Sequence, residues 1–259
     1  MKLGLEGRTA VVCASSDGLG KACAMSLARE GCAVLINGRD ADRLQAAADE
    51  IRSATGATVK PVRADLNTEA GRSVLAAAGA GASILVNNNA GPEPGPFLGF
   101  EREDWEGAME ANFYAPMFMI KALLPGMRAR RFGRIVNITS ARVKSPTPTM
   151  ALSTAPRTAL TALTRSLALD VAVDNVTINN LLPERFGTHR QVEMADRMMK
   201  ERGIGRDEAM AVIAETIAAK RLGKPEEFGD TCAFLCSVQA GYISGQNLQL
   251  DGGSYRGLI

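Results

Sequence analysis

Short, continuous apolar runs alternate with longer segments of helical periodicity along the whole chain, and that alternation permits few folds. The runs Thr9–Ala14, Ala33–Asn37, Thr58–Arg63, Ile84–Asn88, Arg134–Thr139, Thr177–Leu182 and Asn247–Leu250 read as strands. Most lack the in-out alternation of a half-exposed strand, so both faces are expected to be buried, as in a parallel sheet covered by helices. Helices are predicted at Leu19–Glu30, Ala41–Ser53, Thr68–Ala77, Trp105–Arg130, Pro156–Val173 and Pro225–Cys236, most opening on a polar residue or a proline. The pattern specifies one α/β domain over residues 1–259, a doubly wound parallel sheet of about seven strands of the Rossmann type. One segment breaks the rhythm. Met194–Lys220, charged and helical in pattern, dominates an insertion at 189–222 that fits either a mobile lid or an ordinary surface helical pair.

Thirty Lys and Arg against 28 Asp and Glu give a net charge of +2 with no sustained block of either sign. That distribution argues against a nucleic-acid surface or a polybasic membrane anchor and for small-molecule ligands. No apolar run is long enough to span a bilayer and Met1–Arg8 lacks an apolar signal core, so a cytoplasmic location is expected. The five cysteines, Cys13, Cys23, Cys32, Cys232 and Cys236, sit in apolar segments and read as core. With a single histidine and no CxxC pair, no metal site is expected.

The first strand runs into Cys13-Ala14-Ser15-Ser16-Asp17-Gly18-Leu19-Gly20-Lys21, a small, polar turn whose glycines open the next helix. Free N–H groups and the positive end of the helix dipole face outward at such a turn, so Ala14, Ser15, Ser16, Gly18, Leu19 and Gly20 are expected to seat a pyrophosphate. A tight turn that binds nothing is the alternative. At the end of the second strand, Asn37-Gly38-Arg39-Asp40 occupies the place where such folds discriminate between nicotinamide cofactors. An acidic residue there would bind a ribose 2′-hydroxyl, whereas a guanidinium suits a 2′-phosphate. Arg39 therefore favours NADP(H) over NAD(H), against the alternative of a solvated loop arginine. Asp40 is read as the cap of the following helix.

With these turns in place, the chain resembles the short-chain dehydrogenase/reductase family over essentially its full length, and within it 3-oxoacyl-ACP reductase-like proteins. The family's Thr-Gly-x-x-x-Gly-x-Gly appears as Cys13-Ala14 followed by Gly18 and Gly20, with alanine for the first glycine. Ala64-Asp65-Leu66 matches the segment that the family directs at adenine, which implies Asp65 and Leu66 as cofactor contacts. Asn87-Asn88-Asn89-Ala90-Gly91 resembles the family's Asn-Asn-Ala-Gly in either of two registers, of which the one beginning at Asn87 fits the spacing back from Asn112 slightly better, and Asn88 joins the cofactor wall. By the same resemblance Asn112 holds a relay water, Ser140 at the end of Arg134–Ser140 binds the substrate carbonyl, and Pro183 and Thr188 contact the nicotinamide. Glu184 replaces glycine after Pro183. The tail, Tyr242–Gln246 and Asp251–Gly253, matches closely, and a homotetramer or homodimer is implied through Trp105–Arg130, Pro156–Val173 and that tail.

The family's Tyr-x-x-x-Lys pair is absent. Spacing from Ser140 places Ser153 where tyrosine is expected and Arg157 where lysine is expected. A guanidinium can hold ribose hydroxyls but does not usefully give up a proton, and an alkyl hydroxyl is a far weaker acid than a phenol. Pro156 is expected to belong to a first helical turn and so to move the helix start past Ser153. Arg142, Lys144 and His189 are loop residues that could be recruited, with solvated charges as the alternative. The resulting reading is an NADP(H)-dependent oxidoreductase acting on a carbonyl or alcohol, with Ser140, Asn112, Ser153 and Arg157 as candidate catalytic groups. A non-redox enzyme (lyase, isomerase or hydrolase) or a low-turnover nucleotide-binding protein on the same scaffold stands as the alternative.

Overall fold

Seven parallel strands form a single sheet in the order β3-β2-β1-β4-β5-β6-β7, in a computed structural model that describes residues 2–258. The strands are β1 (Thr9–Val12), β2 (Ala33–Gly38), β3 (Val59–Arg63), β4 (Ile84–Asn87), β5 (Gly133–Ile138), β6 (Val176–Pro183) and β7 (Asn247–Leu250). Helices α1 (Gly18–Arg29), α2 (Ala41–Thr55) and α9 (Pro225–Cys236) pack a core on one face around Leu27, Ile36, Leu44 and Phe228. On the other face α3 (Glu69–Ala78), α5 (Ala115–Ala129) and α6 (Ala151–Val171) enclose a second core around Leu75, Leu85, Met119 and Ile135. The strand order reverses direction between β1 and β4, and ligands bind at the carboxyl ends of strands beside such a switch point.

Two of the expected helices are built differently. The stretch expected as one helix over Trp105–Arg130 is α4 (Arg102–Met109), a π-helical turn over Glu110–Tyr114, and α5. The wider turn carries the buried Asn112, whose Nδ2 donates to the carbonyls of Ala108 and Ala90, and π turns of this kind are frequent at functional sites. Helix α6 begins at Ala151 and includes Pro156 as an interior residue. The proline therefore does not displace the helix start, and Ser153 is helical. Packing outweighs the local rule here: Leu152, Ser153, Thr154, Pro156 and Arg157 are all buried, and Pro148 already opens the preceding turn.

Asparagines tie the strand ends together. Asn87, Asn137, Asn180 and Asn247 lie in register on β4, β5, β6 and β7. Each amide nitrogen donates to the next amide oxygen, at 2.9, 2.9 and 2.8 Å. Because a one-residue slip would break every link of this buried row, it fixes the relative heights of the strands that carry the cleft.

The segment 189–222 folds as α7 (His189–Arg202) and α8 (Arg206–Glu215), with a small core of its own around Ala195, Ala209 and Ile213. All five cysteines are buried and unpaired. Burial pushes the Cys13 and Cys32 thiols up to about 12, as expected of inert core thiols. No described helix is long and apolar enough to cross a membrane, and the described residues contain no cluster of potential metal ligands.

Candidate active site

At the first turn the chain leaves β1 abruptly. Ala14 has φ +42° and Gly18 φ +56°, and Ser15 anchors the turn by accepting from the Asn37 amide and donating to the Val12 carbonyl. Asp17 caps α1, its carboxylate accepting from Gly18 N–H at 2.7 Å, while Lys21 N–H reaches the Asp17 carbonyl. The N–H groups of Leu19 and Gly20 between them have no protein acceptor among the described residues, so the helix end presents two open donors. Gly20 admits no side chain, since a Cβ would lie 2.4 Å from the Ala14 carbonyl. Asn88 Nδ2 binds that same carbonyl at 2.9 Å and locks the turn to the end of β4.

Beside the turn, Ala14, Ser16, Asn37, Gly38, Arg39, Asp65 and Leu66 line a recess of about 160 Å³. Arg39 is exposed on its rim, and its carbonyl is held by Arg63 Nε at 2.9 Å. Asp40 caps α2 as expected. Asp65 Oδ1 accepts from Asn67 N–H and shapes the recess floor. The open donors, the small residues and the rim guanidinium fit a dinucleotide: a pyrophosphate on the helix end, an adenosine in the recess and a phosphate at Arg39.

The main cleft, about 360 Å³, joins the turn to the ends of β4, β5 and β6 and is lined by Gly18, Leu19, Asn88, Ser140, Ser153, Arg157, Pro183 and Thr188, among others. The structure thus collects on one cavity the residues expected to carry the chemistry; Asn112 lies just behind it. Arg157 is fully inside. Its Nη1 donates to the carbonyls of Ile138 (3.1 Å) and Thr139 (2.8 Å), and its Nε to Ser153 Oγ at 3.3 Å. Desolvation, with the charge of Arg190 nearby, lowers this guanidinium to about 10, so it remains cationic at neutral pH. Gly91 gives it room: a Cβ there would stand 3.2 Å from Nη2. Ser153 Oγ accepts from Nε, which leaves its O–H free to donate. Ser140 Oγ caps the following turn by accepting from Arg142 N–H, so its own O–H is likewise free. Behind the cleft, Asn88, Asn112 and Arg157 border a void of about 10 Å³, the size of one water.

The partners of four side chains, Arg142, Lys144, His189 and Glu93, were not legible beforehand. Arg142 is ion-paired with Glu184, so it is neither a solvated charge nor free to polarise a carbonyl. Lys144 lies over the Tyr255 ring, and His189 is exposed beside Glu193, 3.6 Å away. Glu93, on the loop after β4, receives both Arg190 (3.3 Å) and Arg197 (2.7 Å) from α7, pinning the helical pair across the cleft mouth. Contacts spanning about a hundred residues leave no mark in local pattern.

Switch-point topology, a glycine turn with two open N–H donors and a serine just past the end of β5 define a nucleotide-binding α/β oxidoreductase. Residues 13–255 match the family model described as enoyl-(acyl carrier protein) reductase, and the chain belongs to the short-chain dehydrogenase/reductase family. It is 33% identical to the uncharacterised oxidoreductase YvaG of Bacillus subtilis over the full length of both chains. It is 31% identical to the NADPH-dependent reductase BacG of the same organism, over 98% of this chain and all of that one. Among solved structures, L-sorbose reductase from Gluconobacter frateurii, complexed with NADPH and L-sorbose, superposes with a TM-score of 0.96 at 30% identity, covering both chains completely.

Proposed function

We propose that this chain is an NADP(H)-dependent reductase of a carbonyl compound, or in reverse a dehydrogenase of the alcohol, that works without a phenolic acid. The observation that carries the reading is the Ser153–Arg157 hydrogen bond, built on a guanidinium that is itself fixed to the carbonyls ending β5. The NADPH-dependent relatives and the exposed Arg39 support the cofactor assignment. Ala14, Ser15, Ser16, Gly18, Leu19 and Gly20 hold the pyrophosphate, Arg39 the 2′-phosphate, Asp65 and Leu66 the adenine, and Asn88, Arg157, Pro183 and Thr188 the nicotinamide half.

When bound, the reduced nicotinamide supplies a hydride for the carbonyl carbon. Ser140 O–H donates to the carbonyl oxygen and orients it. As negative charge grows on that oxygen, Ser153 O–H donates its proton to it, and a proton from solvent, relayed through a water in contact with Asn112 and Arg157, restores the hydroxyl. The buried cation lowers the energy of the charged oxygen and of any partial charge on Ser153, which compensates in part for the weak acidity of an alkyl hydroxyl. Helices α7 and α8, pinned through Glu93, close the cleft and exclude bulk water.

Exposed apolar side chains on α5 (Phe118), on α6 (Leu169) and just beyond it (Val173), with Tyr242 and Leu248 near the tail, support assembly as a homotetramer or homodimer, and a cytoplasmic location belongs to the same reading. Titration with NADPH followed by a carbonyl panel tests the reading: saturable binding with NADPH consumption is expected. Binding with neither NADPH consumption on any carbonyl nor NADP+ reduction on any alcohol would transfer the chain to the non-redox alternatives.

A further inference from the structure

The cleft wall formed by α7 carries an amide that no described residue hydrogen-bonds. Gln191, in the first turn of α7, lines the cleft and is 6% exposed. Its Oε1 is buried without a hydrogen-bond partner, and its Nε2 donates to no described residue. A buried polar group left unpaired is destabilising, so its persistence calls for a ligand. Glu184, directly after β6, lines the same cleft. One of its oxygens, Oε1, accepts from Arg142 and lies 3.9 Å from Arg185 Nε, while Oε2 has no partner among the described residues. Across the cleft, Ser153 provides a hydroxyl and open space where an aromatic ring is expected.

We propose that Gln191 and Glu184 are the specificity elements of this cleft and that the substrate is a neutral polyhydroxylated carbonyl compound, its hydroxyls flanking the carbonyl hydrogen-bonded to these two side chains. Charge selects this class over its rivals. Glu184 is already neutralised by arginines, so it attracts no further cation, and Arg157 and Arg190 disfavour one. A carboxylate substrate carries no donor for the two idle acceptors, Gln191 Oε1 and Glu184 Oε2. A hydroxyl, which donates and accepts, matches an amide and a carboxylate oxygen without bringing a charge.

The proposal rests on the reductase reading, and the experiment separates the two. Wild type and Gln191→Leu are assayed with NADPH against D-fructose, D-tagatose and, as a hydroxyl-free control, 2-hexanone. For the wild type, kcat/KM for the better ketose should exceed that for hexanone by about 100-fold or more, because a site built for hydroxyls rejects analogues lacking them. Gln191→Leu should raise the ketose KM about tenfold, leave NADPH affinity unchanged and leave the thermal midpoint equal or higher, since an unpaired amide is being removed. Preference for hexanone overturns the proposal. So does a loss of NADPH affinity in the variant, which would give the amide to the cofactor, or a fall in thermal midpoint, which would make it structural. If no carbonyl is reduced, the reductase reading fails alone. Calorimetric titration of fructose and tagatose into the protein–NADPH mixture then decides: binding to wild type that disappears in Gln191→Leu upholds the substrate class, and no binding overturns it.

Discussion

Ser153 and Arg157 face the cleft one helical turn apart, with Arg157 Nε donating to Ser153 Oγ at 3.3 Å while Nη1 spans two carbonyls at the end of β5. The pair forms one unit: the guanidinium sets the serine's lone pair and so directs its proton. Arg157→Lys places its three donors on one nitrogen and cannot span the acceptors that the guanidinium reaches from Nε and Nη1, and Arg157→Met serves none. Arg157→Met is expected to lose about 3 kcal/mol in denaturant unfolding, because buried acceptors are left unpaired, whereas Arg157→Lys should retain much of the stability and lose most of kcat. Equal kcat in Arg157→Lys and wild type would show that the geometry of the guanidinium is irrelevant.

Alkaline pH provides a second handle. The native state holds the Arg157 guanidinium at about 10, below its ordinary 12.5. Between those values the unfolded chain binds more protons than the native one, so the linkage favours the native state as pH rises. Deprotonation of Arg157 therefore does not itself unfold the protein, but it removes the cation beside the reacting oxygen. The expected kcat/KM profile falls on an alkaline limb near pH 10 while circular dichroism at the same pH stays native. A flat profile through that limb would remove the charge from the mechanism.

Glu93→Gln frees Arg190 and Arg197 from the loop that faces them. These ion pairs are partly exposed, so each contributes only about 0–1 kcal/mol and the thermal midpoint should hardly move. What should change is the closure of α7: substrate KM is expected to rise several-fold, and the rise of KM that salt produces in the wild type should shrink, since about 0.5 M NaCl already screens the pairs. An unaltered KM at low salt would leave α7 and α8 as an ordinary surface pair.

Arg39→Ala addresses the cofactor. Loss of a charge-assisted contact to a phosphate is expected to weaken NADPH about 30-fold and to leave NADH nearly unchanged, as read by nucleotide fluorescence. A parallel loss for both nucleotides would place Arg39 outside the 2′-phosphate site.

The strands and the serine at the end of β5 were legible because burial on both faces of a parallel sheet writes itself as continuous apolar residues, and because strand ends bring the site together. Pro156 was misread for a physical reason: the rule that keeps proline in a first turn is a local preference, and the buried face from Leu152 to Arg157 overrides it. Asn112 was legible as a residue but not its π turn, which breaks no apolar period. Arg142 pairing with Glu184, Arg190 with Glu93 and the idle amide of Gln191 depend on which loops meet across the cleft, which local sequence does not encode.

The central claim is that hydride moves here without a phenolic acid, and isotope tracing reads it directly. NADPH deuterated on the transferable position of the nicotinamide, incubated with the protein and a ketone that it reduces, should yield an alcohol carrying one deuterium on the former carbonyl carbon, with the rate strongly reduced in Ser153→Ala. Tight NADPH binding with no deuterium delivered to any carbonyl substrate would contradict the account.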